Sequence, residues 1–171
     1  MQIVKCYRAS QLSDRCRACQ SALAVESLGD MNTPSQRTRV AAYGLILNDR
    51  KILLCRISGE LPEWQGQWTL PGGGLNFGED PEAAMIREVG EETGLSVSAL
   101  SIAGIDSLHD DSRETEFHGI RIIYRTRLLG GLLRSELSGT TDLAAWVDYD
   151  DLSILPLVDV AEYGVKLAYK K

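Results

Sequence analysis

The segment from Gly73 to Leu95, GGLNFGEDPEAAMIREVGEETGL, constrains the fold more than any other part of the chain. Asp80 followed by Pro81 is a helix start: the carboxylate accepts from free backbone N–H groups, and proline suits the first helical position. Gly94 is the matching stop, because a left-handed residue closes a helix and glycine adopts that conformation without strain. The spacing predicts a helix from Pro81 to about Thr93, entered through a bend at Gly72, Gly73 and Gly74. At about 100° per residue with Met85 at zero, Val89, Thr93 and Ile86 fall at about 40°, 80° and 100°. On the same scale Glu91, Glu88 and Glu92 fall at about 240°, 300° and 340°. One face is thus apolar and the opposite one carries three carboxylates. Glu88 is three residues from Glu91 and four from Glu92, and like charges at those spacings weaken a bare helix. A hard divalent cation turns that repulsion into binding, since magnesium and manganese prefer oxygen ligands. Arg87, one turn before Glu91, can hold a carboxylate by a forked hydrogen bond. The competing reading is an ordinary solvated acidic face.

Around this segment the chain alternates β-rich runs with turns. Arg39 to Leu47 and Lys51 to Ile57 read as a hairpin closed by Asn48, Asp49 and Arg50. Trp68 to Leu70 is a candidate short strand. Further strands are expected at Ser96 to Leu108, at Phe117 to Leu129, and near Ala145 to Val147. Pro156 is expected to open a C-terminal helix reaching Tyr169. Residues 1–36 differ from the rest: polar and small residues dominate, and Gly29, Asn32 and Pro34 interrupt any period. They read as an appendage preceding a domain over 37–171. Nothing in the core pattern needs the first thirty residues, and a start at Met31 is compatible with it.

The chain has 171 residues and a formal charge of −6, with apolar and charged fractions ordinary for a folded protein. That length suits one domain with a sizeable core. The negative balance argues against a nucleic-acid partner, whose affinity comes from cations paired with phosphates. It does not exclude a small phosphorylated substrate, because a bound metal reverses the local field. Met1 to Ser10 lacks the apolar run of a signal peptide, and Val40 to Leu47 is too short to span a bilayer. The expected compartment is the cytoplasm, with the cysteines as thiols.

From Gly73 the specified positions are Gly73, Glu79, Arg87, Glu88, Val89, Glu91, Glu92, Gly94 and Leu95. This resembles the signature of the Nudix hydrolase family, G-x5-E-x7-R-E-U-x-E-E-x-G-U with U a bulky aliphatic, and the MutT-like members in particular. Seven positions demand one residue type, so a chance match is on the order of one in 10⁸ per window. The resemblance spans roughly residues 37 to 155. It implies an α/β fold, a Nudix α/β/α sandwich with a mixed β-sheet and the motif as loop-helix-loop. It implies a hydrolase of nucleoside diphosphates linked to another moiety, with nucleoside triphosphates and nucleotide sugars as comparable substrate classes. Metal-activated water would attack the diphosphate. Magnesium is the implied cofactor, with manganese as an alternative, held by Glu88, Glu91, Glu92 and the Gly72 carbonyl. Glu88 or a neighbouring motif glutamate would act as base, Arg87 would position carboxylates, and Glu79 would add charge at the edge of the cluster. The implied partner is a small phosphorylated nucleotide, with no membrane, and a homodimer is compatible with the pattern.

Many MutT-like proteins place a glutamate three residues before a tryptophan that corresponds to Trp146. Leu143 stands there in this chain, leaving Glu136 or Asp142, with Glu114 and Glu116 as other candidates for an added acidic ligand. Trp64 and Phe77, in loops, are the aromatic candidates for stacking on a base. Trp68 and Tyr124 fit a core better. Arg113, Arg121 and Arg125 can grip phosphate, although Arg121 and Arg125 also fit the solvent face of a strand. Cys16 and Cys19 form a C-x-x-C pair. Cys6 is the only third candidate, and a structural zinc site needs four ligands. Two other readings compete with hydrolysis: a non-catalytic nucleotide sensor, against which the intact glutamates argue, and an RNA 5′-end pyrophosphatase, disfavoured by the missing basic stripe.

Overall fold

The computed structural model describes residues 35–111, 115–136 and 138–169. Arg113, Glu114, Cys6, Cys16 and Cys19, all named above as candidates, lie outside the described residues, as does most of the proposed appendage.

Two four-stranded sheets carry the fold. The first contains β1 (Ser35–Leu45), β5 (Gly72–Gly74), β6 (Leu95–Asp110) and β7 (Thr115–Gly131), in the order β5-β1-β7-β6. It is mixed: β1 runs parallel to β7, while the β1–β5 and β6–β7 pairs are antiparallel. The second contains β2 (Leu47–Asn48), β3 (Lys51–Ile57), β4 (Trp68–Thr69) and β8 (Thr141–Asp148), all antiparallel about β3. Helix α1 spans Pro81–Thr93 and α2 spans Asp159–Tyr169.

The expected hairpin is only partly formed. After Leu45 the chain leaves the first sheet, so only Leu47–Asn48 pairs with β3, around a turn in which Asp49 takes φ 52°. Strand β1 spends its length on β7 instead, beginning at Ser35 opposite Thr115. Ser35 and Gln36 therefore belong to a strand, where the sequence suggested the end of the appendage. The C-terminal helix begins three residues later than expected, because the Pro156 carbonyl accepts from Trp68 N–H and Leu157 bridges to Trp68.

Period-two alternation splits the core into two layers. Ala42, Ile46 and Leu53 pack with Ala84, Met85 and Val89 of α1. Leu45, Ile52, Leu54 and Ile123, on the opposite faces, pack with Val160 of α2. This is the expected α/β/α sandwich. Tyr124 is buried in the first core and Trp68 packs against the second, as the core reading of both residues anticipated. Among the described residues no helix is long and apolar enough to cross a membrane.

Candidate active site

Helix α1 is fixed at both ends as its sequence requires. The Asp80 carboxylate accepts from Glu82 N–H at 2.9 Å and Ala83 N–H at 3.3 Å. Gly94 closes the helix at φ 69°, its N–H donating to the Gly90 carbonyl. Met85 and Val89 are fully buried, which sets the rotation of the helix about its axis. The motif glutamates are aimed by that rotation.

Arg87 is the hub of the cluster. Its Nε and Nη2 donate to the two oxygens of Glu79 at 2.8 and 2.9 Å, a forked pair. Nη1 donates to Glu88 at 2.8 Å and to Glu91 at 3.1 Å, and Nη2 reaches the Gly74 carbonyl at 3.3 Å. One guanidinium thus gathers three carboxylates and the glycine bend. Glu79 also accepts from Asn76 N–H, and with the Arg87 hydrogen bonds this lowers its carboxyl to about 2. The carboxylates in turn raise the Arg87 guanidinium.

Glu92 departs from the expectation of an outward acidic face. It is only 3% exposed. Its helical angle, about 340°, is within about 20° of Met85, so the buried face of the helix takes it along. Its Oε2 accepts from Gly72 N–H at 2.8 Å, and the Thr141 side chain hydrogen-bonds to it. Burial pushes its carboxyl up to about 8, with further upward push from Glu88 and Glu136. The Cys55 thiol, buried beside Glu92, is raised well above its ordinary value by burial and by that carboxyl. Ile86, expected on the apolar face, is exposed.

In β5 the backbone itself requires glycine at Gly72, where φ is 142° and an added Cβ would collide with the Ala42 carbonyl; at Gly73 and Gly74 glycine makes room for charged side-chain ends. A Cβ on Gly73 would stand 2.7–2.8 Å from the Glu88 carboxylate. A Cβ on Gly74 would stand 2.5 Å from the Arg39 guanidinium. Successive Cβ positions on a strand point to opposite faces. Strand β5 is therefore a thin ribbon with an acidic group against one side and a basic group against the other.

A cleft of about 320 Å³ opens beside this ribbon. Gly72, Gly73, Glu92, Arg39, Tyr43 and Arg121 all line it, with Tyr43 directly across from Gly72 in the β1–β5 register. Trp64, on a short turn at Pro62–Trp64, is 38% exposed and lines the cleft with Leu157 and Val158. Phe77, the other stacking candidate, is fully exposed and is not part of the cleft wall; it precedes Gly78, whose φ of 80° turns the loop.

The remaining candidates separate clearly. Glu136 is close enough to Glu91 and Glu88 for their charges, after burial, to raise its carboxyl. Asp142 is spent on Arg56 at 2.8 Å. Glu116 accepts from Gln36 at 2.7 Å, away from the cluster. Arg125 donates to the Leu167 carbonyl at 3.0 Å, in the last turn of α2, a structural role. Arg121 lines the cleft, with its side chain only 13% exposed and paired to Asp106. Sequence reading missed Arg39, Tyr43 and Asp106. The signal available was the alternation Arg39, Ala41, Tyr43, which places a cation and a phenol on one face of the strand.

The donor set suits a hard divalent ion, since Glu88, Glu91, Glu92 and Glu136 offer only oxygen. The upward shifts of Glu92 and Glu136 come first from burial and then from neighbouring carboxylates, and a bound cation would oppose both. Among the described residues no three acidic, histidine or cysteine side chains converge on one point. Glu88 and Glu91 are turned to Arg87, and Glu92 to Gly72 N–H. Glu88 and Glu91 each give Arg87 one oxygen and keep the other, so ligation requires those side chains to turn toward a common point.

A family profile described as NUDIX domain matches residues 37–167. An ADP-ribose pyrophosphatase of Methanocaldococcus jannaschii is 36% identical over 117 residues, covering 68% of this chain and 64% of the archaeal protein. Nucleoside triphosphatase NudI of Escherichia fergusonii is 29% identical over 139 residues, covering 79% of this chain and 94% of that protein. Among solved structures, a MutT protein from Methanosarcina mazei superposes with a TM-score of 0.64 at 26% identity, covering 81% of this chain and all of that one. With its signature complete, its sandwich fold and these relatives, the chain belongs to the Nudix family.

Proposed function

We propose that the chain hydrolyses the diphosphate bond of a nucleoside diphosphate linked to another phosphate or to a sugar, with magnesium or manganese as cofactor. The carrying observation is the carboxylate cluster gathered by Arg87 beside a cleft large enough for a nucleoside. The relatives named for ADP-ribose and for nucleoside triphosphates support the same bond class from two directions.

Glu88, Glu91, Glu92, Glu136 and the Gly72 carbonyl are the groups that would hold the ion. When bound, the ion neutralises phosphate charge and lowers the pKa of water. Arg87 holds Glu79 in a fixed fork and so keeps the motif loop against the helix. The Glu88 carboxylate overhangs Gly73 and is the group assigned to accept the proton of the attacking water. Trp64 closes the cleft as an aromatic wall on which a base can stack.

The test is a phosphate-release screen of the purified chain with magnesium or manganese against nucleoside triphosphates, nucleotide sugars and dinucleotides. Hydrolysis in at least one class is expected, with Glu88→Gln reducing kcat by about a hundredfold or more. Silence in every class with either metal would refute the assignment.

A further inference from the structure

The cleft wall carries Glu92 beside Gly72 and Gly73, and with them the Arg39 guanidinium. On one side of β5 stand Glu88 and its partners; on the other, the Arg39 guanidinium lies against Gly74. Among the described residues Arg39 forms no ion pair. It points along the same strand face as Ala41 and Tyr43, and all three line the cleft. The parallel pairing of β1 with β7 sets Ala41 beside Arg121, so a second guanidinium joins the same wall. Asp106 is opposite Arg121 on β6 and pairs with it, yet Arg121 Nε is buried with no acceptor among the described residues. Asp106 Oδ2 is likewise buried without a hydrogen-bond partner, so this is a buried pair, and Arg39 is the cleft cation with no ion pair among the described residues. Tyr43 feels Arg39 and Arg121 on one hand and Glu92 and Glu88 on the other, as expected of a group lying between the two sets of charges.

We propose that Arg39 and Arg121 receive an anionic group of the substrate that is not held at the carboxylates, so that the preferred class is a nucleoside triphosphate over a nucleotide sugar. This rests on the hydrolase reading above. A nucleotide sugar has two phosphates, and both flank the bond that the carboxylates must handle. A triphosphate has one more, and Arg39 is a cation placed across the ribbon to take it. Neutral sugar hydroxyls would leave that guanidinium without a charged partner.

Steady-state kinetics with magnesium on the full chain test this, using a nucleoside triphosphate and a nucleotide sugar of the same base. Arg39→Gln should raise KM for the triphosphate by roughly tenfold to a hundredfold, the loss of one charge-assisted contact, with kcat changed much less. KM for the nucleotide sugar should stay within about twofold of its original value, a shift below that of one neutral hydrogen bond. Arg39→Lys should recover most of the loss. Because Arg121→Gln alone would strand Asp106, the double variant Arg121→Gln/Asp106→Asn is the companion, with the same selective rise expected. A wild-type preference for the nucleotide sugar, or an equal effect of Arg39→Gln on both substrates, would overturn the assignment while leaving the hydrolase intact. Wild-type silence on both, with silence across the wider screen, would remove the hydrolase reading and this one together.

Discussion

Glu92 is the residue whose chemistry differs most from that of an exposed glutamate. It is buried, bonded to Gly72 N–H, and raised to about 8. In the unfolded chain it titrates near 4.5. Between those values the folded protein holds a proton that the unfolded chain has already released. Stability from this group is therefore full below about pH 4.5 and falls as pH rises toward 8. Thermal melts in chelator across pH 5–9 should show Tm declining through that window, and Glu92→Gln should flatten the decline while losing most turnover. An unchanged slope would mean the carboxyl is not buried as described. Glu79 carries the opposite sign. Its carboxyl is lowered to about 2 by Arg87, so its contribution is present above about 4.5 and is lost as pH falls toward 2.

At the scale of elements, α1 and β5 depend on different things. The Asp80 cap serves the helix alone, so Asp80→Ala should cost about 1 kcal/mol and lower Tm by about 2–4 °C, read by calorimetry, with the motif chemistry largely kept. Gly73→Ala should leave the helix formed but push Glu88 off its seat, so turnover should drop far more than Tm. A variant with wild-type kcat would show that the Glu88 position is not needed. The helix was legible in the sequence because Asp80, Pro81 and Gly94 are local signals, and so was the Arg87–Glu91 contact, one turn apart; the fork itself goes to Glu79, in the loop before the helix. The burial of Glu92 was not, because it depends on where Gly72 and Thr141 arrive from distant parts of the chain. Arg39 and Asp106 escaped for the same reason: their meeting with Arg121 is decided by the parallel β1–β7 register and the β6–β7 hairpin.

At the scale of the whole molecule, the carboxylate cluster predicts linkage between cation and fold. Magnesium at about a hundred times its Kd should stabilise the chain by about 2.7 kcal/mol; a flat Tm titration would contradict cation binding by the folded state. The two-layer core is assembled from residues 41 to 161, and β1 begins at Ser35. A chain truncated to begin at Met31 should therefore fold and keep its kinetics, and an insoluble or inactive product would assign a role to the first thirty residues.

Strand β5 is a wall one backbone thick, with opposite electrical signs leaning on its two surfaces. Adding a methyl at Gly73 disturbs the negative side, and adding one at Gly74 disturbs the positive side. Under the proposed assignments the two neighbouring positions would tune metal affinity and anion preference separately, and relatives that differ at the second of these glycines should differ in what they cleave before they differ in how fast they cleave it.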